Sequence, residues 1–251
     1  MRFALNKKIS AVSALLVMLA VLFAVPAFAM DFAELKGLAL SGDAGAQNDL
    51  GLAYIEDDDV PTNYYEGVSW LRKAADQGLA LAQHNLGLMY YDGGQGVPRD
   101  KCEAARWVKM AAEQGLAEAQ YNLAVMYFDG EGVEQSYANA MKWYHRAAAK
   151  NYANAQYNLG VIYQDGNGVP QDYSASLKWY HRAAKQGLAE AQYNLGLMYV
   201  NGLGVPEKSE GLNYVEGVSW LKKAAAQGDF DAINVLHELG EDCVAHEKCK
   251  K

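Results

Sequence analysis

The chain has 251 residues, 51% of them hydrophobic and 21% charged, with 22 Lys and Arg set against 30 Asp and Glu. Without the first 29 residues, which hold Arg2, Lys7 and Lys8, 19 basic groups face 30 acidic ones, a formal charge of −11. A balance of that size repels polyanions, which argues against nucleic acid or an anionic lipid surface as partner.

In chain order, the first element is a basic start followed by an uncharged, mostly apolar run from Ile9 to Val25 and the small-x-small triplet Ala27-Phe28-Ala29. That is the pattern of a secretory signal segment cleaved near Ala29. The competing reading, an uncleaved anchor, meets a run slightly short for a membrane span. The absence of Cys near the cleavage site disfavours a lipid anchor. The mature chain, which has no other long apolar run, is therefore expected to be exported, to the periplasm or beyond the cell, with no membrane insertion after cleavage. Phe32 to Leu40 reads as a capping helix within residues 30–41.

From residue 42 one block returns every 36 or 37 positions. Its core, Ala-Gln-x-Asn-Leu-Gly-x-x-Tyr, starts at Gln47, Gln83, Gln120, Gln156 and Gln192, and each is followed by a Trp (Trp70, Trp107, Trp143, Trp179, Trp220) leading into an Ala-Ala pair. Apolar residues recur at helical spacing in two segments per block, here termed helix A and helix B. Five such units, spanning 42–77, 78–114, 115–150, 151–186 and 187–227, predict an all-α stacked solenoid. Residues 228–251 then supply a C-terminal capping helix and a Cys-containing tail.

The connections carry the same message. Asp92-Gly93 to Pro98, Asp129-Gly130 to Val133, Asp165-Gly166 to Pro170 and Asn201-Gly202 to Pro206 join A to B. Gly just past a helix end closes the last turn, and Pro prevents continuation. Helix B ends at Gly78, Gly115, Gly187 and Gly228, with Asn151 in the same column, the substitute that tolerates positive φ. Gly51, Gly87, Ala124, Gly160 and Gly196 form a small-residue column inside helix A. A helical Gly costs about 1 kcal/mol relative to Ala, so close helix approach is expected to offset it. The fifth block is stretched to 41 residues by Glu207 to Leu212, expected as an inter-helix loop insertion.

These motifs, the Ala-Gln-x-Asn-Leu-Gly-x-x-Tyr block, the Asp-Gly-x-Gly-Val-Pro turn and the Trp-Tyr-x-x-Ala-Ala helix, resemble Sel1-like repeats, relatives of tetratricopeptide repeats. The resemblance covers residues 42 to 227. It implies a right-handed α/α solenoid that acts as a non-catalytic adaptor, binding a protein or peptide on its concave face in envelope signalling, complex assembly or contact with a host. Cysteine-rich members of the family have β-lactam hydrolysis attributed to them, which keeps open a β-lactamase-like or peptidoglycan-directed hydrolase. Their paired-cysteine framework is missing here.

Candidate groups are few. Cys243 and Cys249 are expected to pair in an oxidising compartment, with Cys102, several repeats away, left as a packed thiol. The tail also reads Cys243-x-x-His246-x-x-Cys249 with His237 upstream, the ligand types of zinc, though export favours oxidation, and no metal or other cofactor is expected. Ser219-Trp220-Leu221-Lys222 matches the Ser-x-x-Lys of penicillin-recognising enzymes, but Ser69-Trp70-Leu71-Arg72 holds the same column without chemistry. Arg72, Lys109, His145, His181 and Lys222 form a basic stripe late in helix B. It either complements the helix dipole or receives an acidic peptide. Asp57-Asp58-Asp59 reads as a solvated acidic turn. The polar helix A positions His84, Tyr121, Tyr157 and Tyr193 are expected nearer a surface groove than the Trp column. The partner's identity and the oligomeric state are not specified by the sequence.

Overall fold

The computed structural model describes residues 31–56, 62–94, 97–205 and 210–241. The signal segment with its cleavage site, the Asp57-Asp58-Asp59 turn, and Cys243, His246 and Cys249 lie outside the described residues.

Twelve helices are present among the described residues: α1 (Phe32–Leu40), α2 (Ala44–Glu56), α3 (Tyr64–Asp76), α4 (Ala80–Asp92), α5 (Lys101–Glu113), α6 (Ala117–Asp129), α7 (Tyr137–Ala149), α8 (Ala153–Asp165), α9 (Tyr173–Lys185), α10 (Ala189–Val200), α11 (Glu210–Ala226) and α12 (Phe230–Glu238). The fold is all-α, of the solenoid class, with about five helix-turn-helix repeats. The even-numbered helices from α2 to α10 are A helices and the odd-numbered ones from α3 to α11 are B helices.

Short polar side chains start the B helices. Asn63 Oδ1 accepts from the Glu66 N–H, Asp100 Oδ1 from those of Cys102 and Glu103, and Asp172 Oδ1 from that of Ala175. Each satisfies amides that the first turn leaves without partners. The ends follow the glycine columns, and Asn151, at φ 66°, is the one non-glycine residue with positive φ among the described residues. One connection differs from expectation. The fifth-repeat insertion is not all loop: its last residues are helical, and α11 runs to 17 residues where the other B helices have 13.

The helices pack as two compact units that divide inside α7, between Trp143 and Tyr144. In the N-terminal unit, α1, α2 and α3 enclose Ala39, Ala46, Leu50 and Trp70. The next layer joins Leu71, Ala74 and Ala75 to Ala82, Leu86 and Trp107. In the C-terminal unit, Tyr180 and Ala183 pack with Leu195, Met198 and Trp220, and α12 closes over Leu197 and Leu221 with Val235 and Leu236. Each of the first three layers thus takes residues from one helix and from A and the Trp of the helix pair that follows, while the layer under α12 has no Trp.

The small-residue column explains how closely A and B approach. A Cβ at Gly87 would lie 2.6 Å from Val108 Cγ2, and one at Gly160 would lie 2.5 Å from Tyr180 Cδ1. Both are well inside contact distance, so helix propensity is given up for interhelical packing.

Candidate functional site

Three sets of side chains recur at the seams between repeats, and they account for most of the candidate residues. The first set is the Gln that opens each block. Gln83 Nε2 donates to the Ala75 carbonyl at the end of the preceding B helix (3.2 Å), and Gln83 Oε1 accepts from Gln114 Nε2 at the end of its own repeat's B helix (2.8 Å). Gln47 with Gln77, Gln156 with Gln186 and Gln192 with Gln227 repeat this geometry. One amide thereby ties three helices, and its buried nitrogen and oxygen both have partners. Gln120 is the exception. It donates to Ala112 O, but its Oε1 is buried with no partner, and the column that supplies the donor elsewhere carries Lys150 in this repeat.

The second set joins successive A helices. Asn85 Nδ2 donates to Asn48 Oδ1 (2.9 Å), Asn122 Nδ2 lies 2.8 Å from His84 Nε2, and Asn194 Nδ2 donates to Tyr157 Oη (3.3 Å). Asn48, His84 and Tyr157 are therefore acceptors for the following repeat, whereas Asn158 donates to Tyr144 Oη instead. An amide nitrogen can only donate, so His84 Nε2 is the unprotonated ring nitrogen. Burial agrees, holding the His84 pKa down at about 4. His84 and Tyr193 are 7% and 8% exposed, the same range as Trp70 at 7% and Trp107 at 8%. The expected ordering, with the polar column nearer the surface, does not hold at these two positions. Tyr157 is half-buried against Tyr180, with ring centroids 5.7 Å apart, and Tyr121 is half-buried as well. The Tyr193 phenol is pushed up to about 12 by burial, with Asp231, Asp229 and Glu238 adding to the shift.

The third set is the basic column of helix B. The Arg72 guanidinium hydrogen-bonds Tyr90 Oη and lies over the Trp107 ring at 5.8 Å, while His145 meets Trp179 edge-on at 5.4 Å and His181 meets Trp220 at 6.0 Å. Indoles of this column also take a cation from their own helix, Lys73 over Trp70 at 3.5 Å and Lys223 over Trp220 at 3.7 Å. Such contacts are worth about 0.5–2 kcal/mol each, more where desolvated. Burial lowers the pKa of His145, and burial with Lys185 and Lys223 lowers that of His181. Both imidazoles are then neutral at pH 7, and positive charge in this column rests on Arg72, Lys109 and Lys222. Lys109 is exposed beside Glu113 (3.9 Å), and Lys222 pairs with Glu241 Oε2 (2.9 Å). The Ser-x-x-Lys lysine is thus an ion-pair partner, with Ser219 exposed one turn before it. Cys102, expected to be packed, is an exposed free thiol.

Sequence reasoning missed a further cluster in the A–B turns. Tyr91 Oη donates to Glu131 Oε2, Lys101 Nζ sits 2.7 Å from Glu131 Oε1, and Arg99 Nε donates to the Tyr91 carbonyl (2.8 Å). The Lys101 and Tyr91 bonds hold the Glu131 carboxyl below its usual range. The signal was available in part: Glu131 is the acidic residue in a turn column that otherwise carries Gln95, Asn167 and Leu203, directly before Gly132, whose missing Cβ would lie 1.9 Å from Lys101 O. Among the described residues no group of His, Cys, Asp and Glu is arranged to hold a metal, and no helix is long and apolar enough to cross a membrane.

Five consecutive matches to the Sel1 repeat model cover residues 44–79, 80–116, 117–152, 153–188 and 189–229. Among solved structures, the chain is similar to c5321, a protective antigen present in uropathogenic Escherichia coli strains and displaying an SLR fold (36% identity, TM-score 0.77, 84% of this chain and 44% of that one). It is also similar to a Sel1 repeat protein from Oxalobacter formigenes (38% identity, TM-score 0.73, 83% of this chain and 59% of that one). A putative Sel1 repeat protein from Klebsiella pneumoniae subsp. pneumoniae shares the fold at 22% identity and TM-score 0.52, over 84% of this chain and 99% of that one. The chain therefore spans about half the length of the first two. No curated protein matches it.

Proposed function

Because the chain belongs to the Sel1 repeat family, whose repeats typically serve protein–protein contact, we propose that it is a non-catalytic scaffold that binds a partner protein or peptide and acts after export, in the periplasm. The observation that carries the non-catalytic reading is the employment of its chemical groups. His84 is spent on Asn122, His145 and His181 on Trp179 and Trp220, and Lys222 on Glu241. Groups committed to seams are unavailable as bases or nucleophiles without loosening the repeats. Export is supported by the Ile9–Val25 run and Ala27-Phe28-Ala29, and envelope signalling or complex assembly is the role proposed for the bound state.

In-cell crosslinking of the tagged chain, with capture from the periplasmic fraction, tests this proposal. The expected result is one stoichiometric partner crosslinked to a single helix face, on a chain whose N-terminus begins after Ala29. A clean capture without an enriched partner, or turnover of a chromogenic β-lactam abolished by Ser219→Ala, would overturn it. A second reading, secretion and contact with a host, is favoured by the likeness to a protective antigen of uropathogenic strains. It differs in address, and recovery of the chain from culture medium rather than periplasm would select it.

A further inference from the structure

Along α11 the last repeat leaves a groove of about 540 Å³, walled by Tyr214, Val215 and Val218 and edged by Lys222 and Lys223. In repeat register, Val218 stands where the preceding repeat has Leu177, and Lys222 stands where it has His181. The same groove beside Leu177 and His181 encloses about 350 Å³ and is bounded by Tyr199 of the following A helix. His181 is met there by Trp220 of the following B helix. Arg72 is covered in the same way, by Tyr90 and Trp107. Among the described residues no ring covers Lys222: the register position of Tyr199 is Gly240, and residues 221–241 hold no Trp or Tyr. Lys222 turns to Glu241 instead, and Val215 is 65% exposed.

This surface continues a seam whose occupant is known from the inner repeats. There the ring arrives on an amphipathic helix, and at two of the seams its indole N–H donates to a Glu four residues earlier: Trp107 to Glu103 Oε1 at 2.9 Å, and Trp220 to Glu216 Oε1 at 2.8 Å. We propose that the open seam on α11 receives an amphipathic helix of a partner protein, which presents a Trp to Lys222 with a carboxylate one turn before it. The apolar wall takes the helix face, Lys222 lies against the indole, and the carboxylate complements the Lys222–Lys223 edge. A second copy is a poorer donor, because Trp70, Trp107, Trp143 and Trp220 are only 6–8% exposed and Trp179, the more exposed fifth, already meets His145 and Arg182. The proposal rests on the scaffold reading and names the class of partner.

The probe is a helix-stapled, dye-labelled peptide with the sequence of residues 210–226, which carries Glu216 and Trp220, titrated into the chain from residue 30 and followed by anisotropy. Saturable one-to-one binding is expected, weakened at least tenfold by Val215→Glu in the protein or by Trp220→Ala in the peptide. Val215 is exposed, so unchanged circular dichroism will show that the variant folds. No saturable binding, or binding indifferent to Val215→Glu, overturns the proposal. Photocrosslinking residues placed in cells at position 215 and, in separate variants, at exposed positions of the other repeats separate this failure from that of the scaffold reading. Crosslinks into a Trp-bearing helix of the partner support the proposal. Crosslinks to a second copy or to residues 242–251 overturn it, as do partner crosslinks arising only from other repeats, and that last result leaves the scaffold reading standing.

Discussion

At His84 a single proton separates a satisfied seam from a broken one. The ring accepts from Asn122, and burial holds its pKa at about 4, below the 6.5 of an exposed imidazole. A group whose folded pKa is depressed binds fewer protons in the native state, so the stability it contributes is intact above pH 6.5 and is lost as pH falls toward 4. The loss amounts to at most about 3 kcal/mol. His84→Asn, which places the side chain of Asn48 in the same column, keeps an acceptor that does not titrate. Denaturant titrations from pH 7 to pH 4 should give a flatter stability profile for this variant, and equal slopes would show that His84 is not the responsible group. Glycine offers a contrast of sign. Gly160→Ala forces a Cβ to 2.5 Å from Tyr180 Cδ1, and overpacking of about 1–3 kcal/mol outweighs the propensity gained. Gly37→Ala in α1 meets nothing within 4 Å and should stabilise by up to about 1 kcal/mol. Thermal melts of the two variants should move in opposite directions. Sequence alone marked Gly160 as special because its column is small in every repeat. It marked His84 as polar but not as buried, because the Asn that buries it lies 38 residues away.

At the scale of the helix, the Gln that opens each A helix is worth more than its neighbours suggest. Removing Gln83 breaks the bond to Ala75 O and deprives Gln114 of an acceptor, although Gln114 keeps Gly78 O. Gln83→Leu should cost about 2 kcal/mol, within the range for removing buried hydrogen bonds. Gln120→Leu deletes a side chain whose oxygen is already unpartnered, so it should cost less. Urea midpoints for the two variants check the ordering, and an equal or larger loss at Gln120 would contradict it. The helices themselves were legible from period, caps and glycines. The seams were not, because a Gln bonded to a carbonyl of the previous helix leaves no pattern that distinguishes it from a solvated Gln. The basic column shows the same limit. Arg72, His145 and His181 look like an outward stripe until the next repeat's Trp is placed against them.

For the whole molecule, contacts between sequential layers make stability local. Leu236 is fully buried where α12 covers Leu197 and Leu221. Leu236→Ala should cost about 2–4 kcal/mol of the local opening energy, seen as faster amide exchange in α10 and α11, with protection in α2 to α5 unchanged. Uniform acceleration throughout the chain would show instead that it unfolds as one block. Five repeats and both capping helices could be read before any coordinates because periodicity is a property of the whole chain and tolerates local errors. The helical part of the fifth-repeat insertion could not be read, since a run such as Glu210-Gly211-Leu212-Asn213 has little helical preference of its own and is carried by the α11 turns that follow.

The Gln seam also bears on how such a chain changes length over generations. Each block donates to a backbone carbonyl of the one before it and accepts an amide from within itself, so in most repeats the groups on either side of a junction are chemically the same. An in-frame duplication or loss of residues 153–188 would bring Gln to Ala carbonyl again at the new junction, with no orphaned donor to select against. Repeat number is then free to drift while the joint stays fixed.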